Sequence, residues 1–318
     1  MKKTPKIQGE VIEVADWNAD AEFAVFPQGA RAKDAVFAPA HGPHDSILLP
    51  EWRYLFKRSK GSYPDQFWGE IIAYRIGCEL GLEVPPAFAA VNSTTGHCAA
   101  LIEWFYDDSI ERFVLAGDFL TKLFPEFDRD RGTRHNLVEN SALIRTLSAG
   151  NSVSFDTNWR QWWVDALLFD ALIGNTDRHQ DNWGFVFRSD ASVTHIRLAP
   201  LFDNGTSLGH ERFTDRTASW GPEEILKYCA KGKHQAKWST KDDPPVKQHV
   251  ELLHRAVSEW SDARELLQAR LAISFDQLVN CVSDLPSLQM PVPLTEDRLA
   301  FILRLLSQRL NTLKYAFQ

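Results

Sequence analysis

The first third of the chain and the remainder are written in different periods, and this change of texture limits the fold more than any other feature. Up to about residue 105 the apolar residues fall in short runs, "VIEV", "EFAVF", "DAVFAPA", "WRYLFK", "AFAAV" and "CAALIEWF", punctuated by Gly, Pro, Asp and Asn. Runs of that length between turn residues read as strands of a small antiparallel sheet. One segment breaks the pattern. "PDQFWGEIIAYRIGCELGL" places Phe67, Ile71, Tyr74 and Cys78 at steps of three and four, which predicts an amphipathic helix of about five turns opening near Pro64. Beyond residue 106 helical patterns dominate: "GDFLTKLF", "NSALIRTL", "WRQWWVDALLFDALIG", "PEEILKYCA", "VKQHVELLHRAVSEW", "FDQLVNCVSDL" and "EDRLAFILRLLSQRLNTLKYA". Only "GFVFRS" and "VTHIRLA" interrupt them as a strand pair. The pattern predicts an α+β chain of two lobes, 1–105 β-rich with one helix and 106–318 mostly helical. At 318 residues, two lobes are also what the limits of a single core lead one to expect.

A formal net charge of −7 argues against a chain whose main work is coating nucleic acid. The four cysteines, Cys78, Cys98, Cys229 and Cys281, are far apart and form no CxxC pair, so they read as reduced thiols rather than zinc ligands or a disulfide framework. No secretory leader and no long apolar run is visible, so the expected location is the cytoplasm.

The chemistry is concentrated in "ALIGNTDRHQDNWGFVF", residues 171–187, where a strongly apolar helix hands over to a strand. Gly174 is a plausible C-cap, and "NTDRHQDN" leaves the helix as a polar loop held by a rigid element. Asp177 and Asn182 lie in that loop, and Asp203 follows the strand pair in "LAPLFDNGTSLG". An isolated loop Asp is usually a turn residue. Two Asp and one Asn in this order instead supply hard oxygen ligands suited to a magnesium ion that also holds phosphate oxygens. In phosphoryl transfer one Asp accepts the attacking hydroxyl's proton, while the Asn and the other Asp hold the metal. Upstream, "WRYLFKRS" ends an alternating strand with Lys57, and Glu70 lies on the predicted helix thirteen residues later. A strand Lys steadied by a helix Glu is how kinases orient nucleotide phosphates.

These segments resemble the HipA-like serine/threonine kinases, relatives of bacterial toxin kinases and distantly of phosphatidylinositol 3/4-kinases. The resemblance is carried in order by "GARAKDAVF", "YLFKRS", "FWGEIIAYRIGCELGLEVP", "LIEWF", "LIGNTDRHQDNWGF" and "APLFDNGTSL", spanning residues 29–209. It implies a two-lobed protein-kinase-like fold that binds ATP and Mg2+ between its lobes and passes the γ-phosphate to a protein Ser or Thr. Asp177 matches the catalytic base, and His179 in the same motif matches a structural or phosphate-proximal position. Asn182 and Asp203 match the metal ligands, Lys57 the nucleotide-phosphate lysine with Glu70 its partner. The backbone of Glu103 and Phe105 matches the adenine-facing hinge within 102–106, and Gly29, Ala30, Arg31 and Lys33 belong to the phosphate-covering loop. The expected partners are a protein substrate, with translation-related proteins among those the family uses, and a small antitoxin-like regulator. Membrane binding and direct nucleic-acid binding are not expected.

Two features depart from the family. The roughly 28 residues before Gly29 are too few for the extra N-terminal subdomain of the longer toxins, so the short form is expected. "GARAKDAVF" contains no Ser or Thr for regulatory autophosphorylation, which leaves Ser59 and Ser62 as the nearby hydroxyls. The rival readings are a phosphatidylinositol-type lipid kinase, which lacks a polybasic membrane segment in its favour, a non-catalytic nucleotide-binding scaffold, and a metal-dependent hydrolase without an HExxH-type ligand pair. The basic stretch "KYCAKGKHQAKW", residues 227–238, reads first as a solvated helix end and second as a patch for a nucleic-acid or acidic partner.

Overall fold

Short strands with alternating burial build the first part of the chain. The computed structural model describes residues 2–20, 31–190 and 192–318, so the expected strand "EFAVF" and two phosphate-loop residues, Gly29 and Ala30, lie outside the described residues. The strands are β1 (Ile12–Glu13), β2 (Asn18–Ala19), β3 (Lys33–Phe37), β4 (Arg53–Arg58), β5 (Ala87–Asn92) and β6 (His97–Glu103), with helix α1 (Trp68–Leu80) between β4 and β5. They form one sheet in the order β1-β5-β6-β4-β3-β2. Every pairing is antiparallel except β1 with β5. Side chains alternate across a sheet. Tyr54 and Phe56 of β4 therefore join Ile12, Val36, Phe88 and Leu101 in an apolar cluster, and Lys57 points to the other face.

The helix is shorter than its sequence pattern suggests. Residues 60–67 are spent on turns, Tyr63 N donating to the Lys60 carbonyl and Gln66 N to the Tyr63 carbonyl, so α1 has 13 residues. Its end is fixed by Gly81, whose left-handed φ of 70° lets Gly81 N and Leu82 N reach the Cys78 and Gly77 carbonyls. Twelve of its residues are buried, so it is a core helix rather than an amphipathic one.

The chain divides into two compact units: Met1–Trp104 with Asn204–Gly221 and Ile273–Leu306, and Phe105–Asp203 with Pro222–Ala272 and Ser307–Gln318. The first unit joins its segment ending at Trp104 with two later segments. A single helix on a sheet leaves buried polar groups and apolar surface to satisfy, and those segments do it. Trp68 Nε1 donates to the Val292 carbonyl at 3.1 Å, and Arg75 pairs with Asp284 at 3.2 Å. Arg298 holds Asp65 and the Gly209 carbonyl. Within those segments lie α5 (Thr214–Thr217), α9 (Phe275–Asn280) and the first part of α10 (Glu296–Ala316).

The second unit contains β7 (Glu111–Leu115), α2 (Ala116–Leu123), α3 (Leu137–Ser148), β8 (Val153–Phe155), α4 (Trp159–Ile173), β9 (Gly184–Ser189), β10 (Thr194–Leu198), α6 (Pro222–Ala230), α7 (His249–Glu259) and α8 (Arg264–Leu271). The hairpin β9–β10 is the expected strand pair. It is flanked by β7 and β8, which the sequence reading left out, giving a sheet ordered β7-β9-β10-β8. Helix α4 is the centre of this unit, with 11 of its 15 residues buried. Trp162, Trp163 and Trp183 pack edge-on or tilted, with ring centroids 4.9–6.3 Å apart, as quadrupolar rings prefer. Among the described residues no helix is long and apolar enough to cross a membrane.

Candidate active site

In the first unit, a single carboxylate organises the expected nucleotide-binding residues. Lys57 is 4 % exposed and Glu70 3 %, and Lys57 Nζ donates to Glu70 Oε1 at 2.9 Å. Arg31 Nη2 donates to the same oxygen at 2.6 Å, while Glu70 Oε2 accepts the Asn204 backbone N–H at 2.8 Å. Two cations and an amide thus meet one buried carboxylate, the charge-assisted arrangement that makes such burial tolerable. Arg31, expected in the phosphate-covering loop, is itself buried and packs on Gly205: a Cβ at Gly205 would stand 2.2 Å from Arg31 Nη1. Lys33 is in direct register with Lys57 on the neighbouring strand.

In the second unit, α4 delivers the polar loop. The Asn158 side chain caps its start by accepting from Gln161 N, and Gly174 ends it at φ 68° with its N–H on the Asp170 carbonyl. The loop then folds on itself. Asp177 N donates to Asn175 Oδ1 at 2.9 Å, His179 N to the Asp177 carbonyl at 2.8 Å, and Asn182 Nδ2 to the same carbonyl at 2.6 Å. With its amide nitrogen committed, Asn182 keeps its side-chain oxygen for another role. His179 Nδ1 accepts from Asp181 N at 3.2 Å, which makes it a brace of the loop. Asp203 has φ 57°, a left-handed backbone that Asp tolerates better than most residues but at a cost of order 1–3 kcal/mol.

The residue that binds these pieces together was not singled out from sequence. Arg178 is fully buried. Its Nε and Nη2 take both oxygens of Asp170, at 3.0 and 2.8 Å. Its Nη1 reaches the carbonyls of Asn182, at 3.1 Å, and of Phe202, at 2.6 Å. One guanidinium therefore fixes the metal-ligand candidate Asn182 and the residue preceding Asp203. Asp170 also accepts from Asn175 Nδ2 and from His234 Nε2. His234 Nδ1 accepts from Ala236 N at 3.0 Å, so Nε2 carries the proton. Burial opposes ionisation of Asp170, but the Arg178 charge and the hydrogen bonds from His234 and Arg178 outweigh it and hold the carboxyl well below its ordinary range. The signals in sequence were Asp170 one turn before the C-cap and His234 inside the basic stretch.

Among the residues expected at a hinge, Glu103 N donates to the Pro86 carbonyl, and its carboxylate takes Lys6 Nζ at 2.6 Å. Phe105 stacks on Phe202 at 5.4 Å, and its carbonyl accepts from Arg197. Ser59 accepts Phe67 N through its hydroxyl, while Ser62 is exposed. A surface cavity of about 820 Å³ runs along β7 and β9 and touches none of the expected site residues.

Hard oxygens at Asp177, Asn182 and Asp203 suit a divalent cation that keeps water and phosphate in its shell. Among the described residues no group of three His, Cys, Asp or Glu forms an all-protein metal cage, and such a cation does not require one. All four cysteines are free, as expected.

Comparison with known proteins finds similar kinases. A 44-residue stretch is 43% identical to the serine/threonine-protein kinase CtkA of Helicobacter pylori strain J99, spanning 14% of this chain and only 13% of that protein. The solved structure of an H. pylori proinflammatory kinase CtkA superposes with a TM-score of 0.73 at 16% identity, covering 96% of each chain. The HipA toxin of Shewanella oneidensis MR-1, solved with HipB and operator DNA, gives a TM-score of 0.50 at 14% identity over 93% of this chain and 66% of its own. These likenesses establish a two-lobed α+β fold. The profile of the HipA-like C-terminal domain matches residues 26–268, and the chain belongs to that family.

Proposed function

We propose that this chain is an ATP-dependent protein kinase that transfers the γ-phosphate to a Ser or Thr hydroxyl. The observation that carries the reading is the Arg178 brace, which pins Asn182 and the residue before Asp203 to one buried carboxylate. Rigid placement of oxygen ligands is what phosphoryl transfer requires of a protein, since catalysis there is mostly positioning and charge stabilisation. The kinase names of the CtkA relatives support the same class.

In this reading Lys57, steadied by Glu70, contacts the nucleotide phosphates, and Lys33 beside it adds a second cation. Asn182 Oδ1 and the Asp203 carboxylate hold Mg2+, which when bound neutralises charge on the β- and γ-phosphates. Asp177 orients the acceptor hydroxyl and takes its proton. The acceptor oxygen bonds to the γ-phosphorus as the bond to the β–γ bridging oxygen breaks, and ADP leaves with that electron pair. The Glu103 and Phe105 backbone meets the adenine. The substrate is a cellular protein, and the HipB-bound relative supports a small regulatory partner.

Asp177→Ala and Asp203→Ala separate the roles. Both variants are expected to lose transfer of labelled phosphate to protein by 10²-fold or more, with unfolding midpoints near that of the parent. Calorimetric affinity for ATP with Mg2+ is expected to fall in Asp203→Ala and to hold in Asp177→Ala. Either variant labelling protein at the parental rate sinks the assignment.

A further inference from the structure

Arg309, on the last part of α10, is 8 % exposed, yet among the described residues no carboxylate pairs with it. Of its five donors one is used by the protein, Nη1 on the Ile173 carbonyl at 3.1 Å, and the guanidinium also lies over the Tyr228 ring at 5.8 Å. A buried guanidinium without a counter-charge is costly unless an anion reaches it. Arg309 lines a cavity of about 210 Å³ in the second unit, bounded also by Leu226, Gly232, Gln248, His249 and Thr312.

The other polar groups there are also under-used. Gln248 Oε1 and His249 Nε2 are buried without a hydrogen bond of good geometry, although His249 is loosely engaged by the Asn175 backbone. Burial, with the Arg309 charge, pushes the His249 ring down to about 3 against the pull of Asp170, so it is neutral and can donate or accept. A Cβ on Gly232 would stand 2.9 Å from His249 Nδ1, so the glycine keeps the space beside the ring open. The lining also has an apolar part, in Ala171, Leu226 and Leu313. Exposed Lys231 and Lys233 flank Gly232 in sequence, which gives the basic stretch 227–238 a use that nucleotide chemistry does not.

We infer that this cavity is a binding site for a small organic anion, a carboxylate on a short apolar body, held by Arg309. The volume lies below the 300–1,000 Å³ of sites for drug-sized ligands, which sets the size of the ligand. The site is coupled to the polar loop. The Arg309 guanidinium lies against Gly174, whose added Cβ would come within 2.2 Å of it, and it holds the carbonyl of Ile173, four residues before Asp177. An anion that draws on Arg309 therefore acts on the C-cap from which the loop departs. The inference does not depend on what the loop catalyses.

Hexanoate is the probe, with hexanol as its uncharged counterpart. In calorimetry on the full chain, hexanoate is expected to bind saturably and hexanol on the order of tenfold more weakly or worse. Hydrogen exchange of backbone amides 174–182 should slow when hexanoate is bound. Thr312→Trp, at an exposed helix position where substitution leaves the fold intact, plugs the mouth and should abolish both effects. The inference is overturned if hexanoate fails to bind, if hexanol binds equally well, if Thr312→Trp binds hexanoate undiminished, or if exchange in 174–182 is unchanged at saturation.

Discussion

Two buried ion networks do for this chain what metal cages or disulfides do in others, and each turns on one residue. Asp170 faces Arg178, Asn175 and His234 at once. Asp170→Asn keeps the shape but leaves a buried guanidinium uncompensated, and urea unfolding should show a loss of about 3–5 kcal/mol. In the first unit Gly205 is the sensitive point, because a methyl there displaces Arg31 from Glu70. Gly205→Ala is expected to raise the KM for ATP several-fold and also to lower unfolding stability, since Arg31 has room to move only by giving up the buried carboxylate. An unchanged KM would remove Arg31 from the nucleotide-site network.

Helix α4 carries the loop, and its two ends separate stability from function. Asn158→Ala removes the N-cap acceptor and should cost about 1 kcal/mol of stability without altering phosphate transfer per folded molecule. Gly174→Ala places a Cβ at a left-handed φ of 68° and against Arg309. It should cost more than about 1 kcal/mol and also slow transfer, read by comparing rate per folded molecule in both variants. The elements that the sequence displayed were those with long, strongly periodic patterns: α4, α10 and the β9–β10 hairpin, together with the Gly174 cap. The strand β8 escaped because three residues are too few to show alternation, and β7 because none of its five residues is buried and it has no alternating apolar face. Lys57, Glu70, Asp177, Asn182 and Asp203 stood out in the sequence as candidates, chemically unusual residues at family spacing. Arg178, Asp170 and His234 were not, because a buried charge is recognised by its partner, and the partners are 8 and 64 residues apart.

For the whole molecule, buried neutral histidines set the response to acid. His135 and His249 are both held below the ordinary histidine range, chiefly by burial. The unfolded chain takes up their protons near pH 6.5 and the folded chain resists, so stability is full above about 6.5 and falls as pH drops, by about 1.4 kcal/mol per pH unit for each. The half-buried His44 and His210 are lowered too and add to the slope. Urea midpoints at pH 7.5 and 5.5 should differ accordingly, and His249→Gln should flatten the difference. Equal midpoints would mean that these rings are protonated in the fold. The central claim is tested most directly by incubating the purified chain, Mg2+ and γ-labelled ATP with proteins of a cell extract, beside phosphoinositide vesicles. The result predicted is label on Ser or Thr of extract proteins, lost in Asp177→Ala; label only in the lipid, or in neither arm, would contradict it.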